Sequence, residues 1–353
     1  MGAAVLATVM TAGVTSASAS TTERQAAALT APTTKLAVPN PSLIKTPAGW
    51  VMLNTGNAKK PGLISRAPAL GGKWRRDKQF ALLSKKPKWA EGVGGVWAPS
   101  IVQEPSGRYV VFYSAPVKGK DHRRCIGTGY TTGASLTDSV ASAGRPKALF
   151  KPRNKPLVCF SGSGVRAADV VSSKTAGSII DATPAVVDGR YYLTYKTEKR
   201  RGGKWLTTTR LLPLDATRTD TTVAGPSTQM TRWSSPSIEE NPILVKRGDT
   251  YTLFTSRGWF RQCTGAHPYH SVFRQTKDLS RWPSKPRTLG FNNKIRTCGK
   301  GNATVNDGGD GKFYFTWNGH YPASKAGKSA PKSLYIGTLT WKKNGQPKVK
   351  DTL

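Results

Sequence analysis

The sequence predicts an all-β protein folded as a five-bladed β-propeller. Short runs of Val, Ile, Tyr, Phe, Thr and Trp stand between Gly, Pro and Asp turns, which is the pattern of strands. No segment sustains an apolar stripe of helical period. One hairpin unit occurs five times at intervals of roughly 60 to 80 residues, a repeat too small to bury its own apolar face. Repeats of this kind are typical of propeller blades.

Each unit consists of a short apolar strand, a turn that ends in Gly, and a strand rich in aromatic residues. In chain order the first strands read NPSLIK, APSIVQ, TPAVV, NPILVK and NATVN, and the second read GWVMLNTG, GRYVVFYSA, GRYYLTYKT, GDTYTLFTSRG and GKFYFTWNGH. Four of the five first strands carry proline near their start, where its missing N–H is tolerated. A β-sandwich also alternates strands and turns, but five copies of one proline-bearing hairpin favour the propeller.

The residues that open the first strands are the candidate functional residues, because the first strand of a blade lies innermost and these openings converge on the central channel. They are Asn40, the Trp97 to Ser100 segment, Asp181, Glu240 and Asn302. Two blades thus open on carboxylates in a chain that has only 19 acidic residues. Glycoside hydrolysis uses a protonated acid and usually a second carboxylate. The alternative is that both acids cap turns or pair with some of the 54 basic residues.

The charge of the chain is strongly positive, with a formal net charge of +35 at pH 7 over 353 residues. Such a surface attracts polyanions, so anionic envelope polymers or acidic polysaccharides are possible partners. No zinc-finger, helix-turn-helix or RNA-recognition pattern accompanies the charge, and we expect no specific nucleic-acid binding. The hydrophobic content of 37% indicates a folded globular protein, which we expect to be a monomer.

The N-terminus predicts export. Residues 1–19 form a short run of small and apolar residues that ends in an Ala-Ser-Ala cleavage-type signal. This run is too short and too weakly apolar to span a membrane stably. Residues 20–37 have the composition of a disordered lead-in, and residues 38–353 form the predicted propeller. We therefore expect a secreted protein without a membrane span.

The four cysteines agree with export, because they fall into two sequence-local pairs, Cys125 with Cys159 and Cys263 with Cys298. Each disulfide would stabilise the folded state by about 3 to 4 kcal/mol in the chain-entropy model, because it closes a loop in the unfolded chain. Three pairings are formally possible. No Cys-x-x-Cys occurs and no histidine has zinc-like spacing to the cysteines, so no metal or other cofactor is predicted.

Three stretches resemble glycoside hydrolase family 43, a family of inverting five-bladed propellers that includes arabinanases, arabinofuranosidases and xylosidases. They are SIIDATPAVVDGRYYLTY, EENPILVKRGDTYTLFTS and VWAPSIVQEPSGRYVVFYSA, and the resemblance extends over nearly the whole chain from about Val38. The invertase and levansucrase group is a weaker match, because its Arg-Asp-Pro and Glu-Cys signatures are absent.

The resemblance implies roles for individual residues. Glu240 takes the place of the general acid, and Asp181 that of the acid that tunes and orients it. The catalytic base of the family is an Asp before Pro in the first blade, and here that position is Asn40, whose amide cannot usefully take up a proton. Three explanations stay open: a relative that only binds, a base supplied by another loop, or a shifted register.

Four further positions complete the predicted site. Ser100 follows the Trp-Ala-Pro motif where the family usually has Asp, and Asn302 stands where many members have a His near a central metal ion, which implies a channel without metal. Trp97 is a sugar-stacking platform or fills space between blades, and His320 in WNGHY is a candidate ligand contact.

The predicted function is hydrolysis of arabinose- or xylose-containing polysaccharide or oligosaccharide. The alternatives are a catalytically impaired propeller that binds polysaccharide, and a cationic protein that adheres to anionic envelope polymers without sugar selectivity.

Overall fold

The computed structural model describes residues 38–56, 62–91, 95–136, 147–172, 176–234, 237–260, 262–292, 297–320 and 333–352. The predicted signal segment and lead-in, residues 1–37, lie outside the described residues. All regular elements in the described ranges are strands, which confirms the all-β prediction. No helix in this part of the chain is long and apolar enough to cross a membrane.

The strands form five sheets that follow one another along the chain. The first sheet contains β1 (Ser42–Thr46), β2 (Gly49–Asn54), β3 (Leu63–Ala67) and β4 (Arg75–Arg76). The second contains β5 (Phe80–Leu83), β6 (Trp97–Gln103), β7 (Tyr109–Pro116), β8 (Arg124–Tyr130), β9 (Lys147–Pro152), β10 (Val158–Phe160) and β11 (Asp169–Val171).

The remaining three sheets contain four or five strands each. The third contains β12 (Ala176–Val187), β13 (Arg190–Arg201), β14 (Lys204–Leu214) and β15 (Thr228–Gln229). The fourth contains β16 (Glu239–Arg247), β17 (Thr250–Arg257), β18 (His270–Thr276) and β19 (Arg287–Thr288). The fifth contains β20 (Gly290–Phe291), β21 (Cys298–Asp307), β22 (Phe313–His320), β23 (Ser333–Trp341) and β24 (Pro347–Thr352).

All five predicted hairpins are present as antiparallel pairs, β1 with β2, β6 with β7, β12 with β13, β16 with β17 and β21 with β22. The turn glycine of each has a positive φ, a conformation that side chains with a Cβ rarely adopt. The first strands of the hairpins contact one another in chain order, and β21 of the last sheet contacts β1 of the first. The sheets therefore close on themselves in a propeller-like arrangement.

The core lies between the sheets and is built mainly from their second strands. Phe112, Tyr195, Phe254 and Trp317 are almost completely buried, and burial of each such ring stabilises the fold by about 2 to 3 kcal/mol. The predicted core residue Trp50 is also buried, and it belongs to a cluster that joins β2 to β23 of the last sheet. Apolar packing thus joins the two ends of the chain.

Both predicted disulfides are present. Cys125 in β8 bonds Cys159 in β10, and Cys263 bonds Cys298 at the start of β21. The first bond lies within the second sheet, whereas the second ties the loop after β17 to the last sheet. The sequence-local pairing is therefore the correct one of the three possible.

Candidate functional site

The five strand openings share one backbone feature, a residue in the left-handed region. These residues are Asn40, Ala98, Asp181, Asn241 and Asn302, with φ values of 51°, 43°, 59°, 51° and 55°. In the last four openings, the pairing between the first and second strands of the sheet shifts register at this residue, as in a β-bulge. Asn and Asp tolerate the left-handed region better than most residues. Local geometry therefore accounts for the amides and acid at these positions.

This feature corrects the predicted register of the fourth opening. The sequence comparison put Glu240 at the position of Asn40 and Asp181, but the left-handed residue there is Asn241. Glu240 instead lies in the ladder directly before the register shift, where it pairs with Ser256 of β17. The cause is that the bulge comprises Asn241 and the proline after it, so Glu240 precedes the bulge by one residue.

The openings converge through hydrogen bonds between neighbouring sheets. The Asn40 N–H donates to the Asn302 side-chain oxygen, which connects the first sheet to the last. The Asn241 N–H donates to Asp181 Oδ2 at 3.4 Å. The same kind of bond links two further openings to the preceding sheet, from the Ala98 N–H to Thr55 Oγ1 at 2.9 Å and from the Asn302 N–H to Ser256 Oγ at 2.8 Å.

Three carboxylates meet around one lysine at this convergence. Lys196 Nζ lies 2.9 Å from Glu240 Oε2, 3.0 Å from Glu198 Oε1 and 3.8 Å from Asp181 Oδ2. Lys196 stands in β13 opposite Ile180, the residue before Asp181. Its side chain is only 3% exposed. The charge of a buried ammonium must be balanced, and these acids balance it.

The proton distribution in this cluster is unusual. The pKa of Asp181 is raised to about 7, chiefly by burial and also by the Glu240 and Glu198 charges, against the opposing effect of Lys196. Burial alone would lower the pKa of Lys196, but its three carboxylate neighbours raise it well above its usual range. Near neutral pH the cluster therefore holds a proton on Asp181 while Lys196 stays positively charged.

Glu240 accepts hydrogen bonds on both carboxylate oxygens. Lys196 donates to Oε2, and the Tyr269 hydroxyl donates to Oε1 at 2.8 Å. Two donors on one carboxylate stabilise the negative charge left after Glu240 gives up a proton. The arrangement is suited to a residue that donates a proton and must then carry the resulting charge.

Asn40 connects to the same network through its side chain. Its Nδ2 lies 3.4 Å from Asn241 Oδ1, and Asn241 Nδ2 donates to the Tyr269 hydroxyl at 3.2 Å. Because Tyr269 in turn donates to Glu240, a chain of hydrogen bonds runs from Asn40 to Glu240. An amide in this place supplies a donor and an acceptor but takes up no proton.

Glu198 is the nearby carboxylate to consider as a replacement for the base, and its spacing does not fit. The Glu198 and Glu240 oxygens that contact Lys196 lie at most about 6 Å apart, less than the ~6.5 to 9.5 Å between acid and base in inverting enzymes. Glu239 is buried and paired with Arg274, and it also accepts a hydrogen bond from Thr255. Both acids are therefore held by basic side chains.

Ser100 and Asn302 have structural partners. The buried Ser100 hydroxyl donates to the Ala182 carbonyl at 2.6 Å, which links β6 to β12. The Asn302 side-chain oxygen accepts from the Asn40 N–H and from Asn318 Nδ2, the latter at 2.9 Å. With this oxygen already satisfied, and with no group of three or more His, Cys, Asp or Glu suited to a metal in the described ranges, the position does not fit the central metal ion of many relatives.

Trp97 and His320 differ in exposure. Trp97 is 43% exposed, so it is not a filler between sheets, and the Arg124 guanidinium lies 3.5 Å from the centre of its ring. His320 is only 2% exposed and pairs with Cys298 at the end of β22. Trp97 is thus available at the opening of β6, whereas His320 is buried in this structure.

Sequence reasoning missed Lys196, Glu198 and Tyr269. The first two stand in YYLTYKTEKR, where alternation along a strand puts Lys196 and Glu198 on one face. A charged pair on a strand face next to Asp181 is a signal that could have been used. Tyr269 precedes β18 and reaches the site from a loop, and no sequence pattern indicates it.

Comparisons with known proteins agree with the geometry. Residues 29–347 match the family model described as "Glycosyl hydrolases family 43". No curated protein matches the chain. A solved thermostable family-43 glycoside hydrolase is similar at 16% identity and a TM-score of 0.65, with 89% of this chain and 92% of that chain covered. A Cellvibrio cellulosa α-L-arabinanase complexed with arabinohexaose is similar at 22% identity and a TM-score of 0.63, with 90% and 96% covered. A Bacillus subtilis arabinanase is similar at 17% identity and a TM-score of 0.62, with 89% and 97% covered. At these identities the structures show similarity of fold.

Proposed function

The chain belongs to glycosyl hydrolase family 43, and from that membership we propose that it is a secreted hydrolase that cleaves arabinose- or xylose-containing polysaccharide with inversion at the anomeric carbon. We also propose that its five sheets are five blades and that residues 38–353 form one propeller. The five left-handed openings and the contact of β21 with β1 support this blade count. The two disulfides are consistent with export.

The convergence of Asp181 and Glu240 on Lys196 carries the proposal. Glu240 is the general acid that protonates the leaving glycosidic oxygen. Lys196 at 2.9 Å and Tyr269 at 2.8 Å then stabilise the carboxylate that this step leaves behind. Asp181 holds a proton near neutral pH, and this proton must pass to the Glu240 carboxylate before Glu240 can give it to the leaving oxygen, so the two acids act as a coupled pair.

The water that attacks the sugar has no carboxylate base in the family position. The Asn40 amide oxygen can accept a hydrogen bond from this water and orient it, but it cannot accept its proton. Hydrolysis with Asn40 is therefore slower than with a carboxylate at the same place. Ser100, Asn302 and Trp97 line the openings around the substrate in this proposal, and the fourth candidate contact, His320, is buried at the end of β22.

Asn40 also favours the second candidate function, a catalytically impaired propeller that binds polysaccharide. In that case the channel keeps its shape and the openings keep their hydrogen bonds, while the chemistry is lost. The positive surface would then contribute to adhesion to anionic envelope polymers. The two functions differ in whether sugar is released.

The test measures reducing sugar released from arabinan, xylan and aryl-glycosides. We expect release by the wild type and a loss of at least about a hundredfold in Glu240→Gln, because the amide cannot donate the proton. Asp278→Asn removes an exposed carboxylate far along the chain and should keep the wild-type rate. Binding without release by the wild type would favour the second function, and equal rates in wild type and Glu240→Gln would refute the role of Glu240.

A further inference from the structure

A cavity lies in the outer part of the second sheet. Its volume is about 550 Å³, within the usual range for small-molecule sites. One aromatic residue, four basic residues and one acid from the loop after β14 dominate its charge and shape. They are Tyr130, Lys151, Arg153, Lys155, Arg166 and Asp220.

Three of the four basic residues in this cavity are available to a ligand. Lys151, Lys155 and Arg166 are exposed, and none of them forms an ion pair within the described ranges. The only acid in the lining, Asp220, is buried and already bound by two guanidinium groups, from Arg108 at 3.1 Å and Arg153 at 2.6 Å. The cavity therefore keeps a net positive charge.

Arg153 is held in place before any ligand arrives. Asp220 binds its guanidinium, and the same group lies 4.0 Å from the centre of the Tyr130 ring. Asp220 occupies the Nε and one Nη group of Arg153, so a ligand oxyanion meets the other Nη group, and a guanidinium fixed in this way loses little conformational entropy on binding it. The cavity thus combines one rigid cation with three adaptable ones.

The cavity is separate from the channel. Tyr130 pairs with Val110, whereas Trp97 at the channel opening pairs with Ser114, which in turn pairs with Ile126. Ile126 and Tyr130 are four residues apart on β8, so about 13 Å of strand separates the two ends. A ligand in the cavity does not contact the carboxylate cluster, and the inference does not depend on hydrolysis there.

We propose that this cavity binds carboxylate groups of an acidic, uronate-bearing carbohydrate chain. The four cations supply the charge complementarity, and the apolar walls of Pro152, Pro156 and Leu157 suit the C–H surfaces of sugar rings. A single-stranded nucleic acid fits less well, because it needs free aromatic faces for base stacking. The single aromatic ring of the lining, Tyr130, is in contact with the guanidinium groups of Arg108 and Arg153.

Fluorescence anisotropy with labelled trigalacturonate tests the proposal on the full chain. The double variant Lys155→Ala/Arg166→Ala should weaken binding by about tenfold or more. Each lost charge-assisted contact raises the dissociation constant severalfold, and two contacts are lost. The matched control Lys342→Ala/Lys343→Ala removes the same charge from the exposed turn between β23 and β24 and should change affinity by less than about twofold. Glu240→Gln should leave affinity unchanged.

Several results would overturn the proposal. An equal loss in both double variants would indicate general surface attraction, and loss in Glu240→Gln would place the ligand in the channel. Absence of trigalacturonate binding, or equally tight binding of neutral galactotriose, would exclude carboxylate recognition. Tighter binding of an oligothymidylate with the same dependence on Lys155 and Arg166 would assign the cavity to nucleic acid instead.

Discussion

Replacing Asp181 by Asn tests the proton that the structure assigns to the carboxylate cluster. Its pKa is about 7 in the folded protein and near 4 in an unfolded chain. Between these values the folded wild type binds a proton that the unfolded chain has lost, so its free energy of unfolding falls as the pH rises. The loss is complete at about pH 8, one unit above the folded pKa, and amounts to at most about 4 kcal/mol.

Asp181→Asn has no such proton, and its amide keeps an oxygen that can accept from the Asn241 N–H. We therefore expect the variant to match the wild type within about 1 kcal/mol at pH 4 and to become progressively more stable than the wild type up to pH 7. Urea unfolding of both proteins at several pH values measures this difference.

Asp278→Asn is the matched control for this series. Hydrogen bonds from Ser280 lower the pKa of the exposed Asp278, so this carboxylate is ionised in both folded and unfolded states above about pH 5. Its stability difference from the wild type should stay flat from pH 5 to 8. If Asp181→Asn also gave a flat difference, Asp181 would not hold a proton near neutral pH, and the argument about the cluster would fail.

Two further stability predictions follow from the site and the fold. Lys196→Met leaves three carboxylates without their buried cation, so we expect the free energy of unfolding, measured with urea, to fall by about 3 to 5 kcal/mol at pH 7 and by less at pH 5. A fall of under about 1 kcal/mol would mean that the ion pairs are not formed. Gly49→Ala puts a Cβ 2.6 Å from a backbone oxygen at a φ of 113°, and we expect it to cost more than about 3 kcal/mol. Gly248→Ala, in the equivalent turn with open space around it, should cost only about 1 kcal/mol, and equal costs would contradict this explanation.

The hairpins were predictable from sequence because they depend on local patterns. Alternation of apolar residues, the proline near the start of four of the five first strands and the turn glycine each specify the backbone over a few residues. The Cys125 and Cys263 pairings were also local, since the partners lie close in sequence. Whole-chain features such as the contact between β1 and β21 followed only from the repeat.

The site was predicted in part, because its carboxylates open strands but their partners do not. Asp181 and Glu240 were found from their place in the repeat, whereas Tyr269 reaches the cluster from a loop. Lys196 was missed because one lysine among 54 basic residues carries little information, and only pairing of β13 with β12 puts it beside Asp181. Sequence spacing also put Glu240 at the left-handed position of the fourth opening, which Asn241 occupies in the structure.

The central claim is that the channel is a family 43 site in which Asn40 occupies the place of the base. The most direct measurement is the rate of reducing-sugar release from arabinan and xylan by wild type and Asn40→Asp. A carboxylate there can take the proton of the attacking water, so we predict a rate increase of about a hundredfold or more. An unchanged rate, together with efficient hydrolysis by the wild type, would contradict the claim and place the base at another residue.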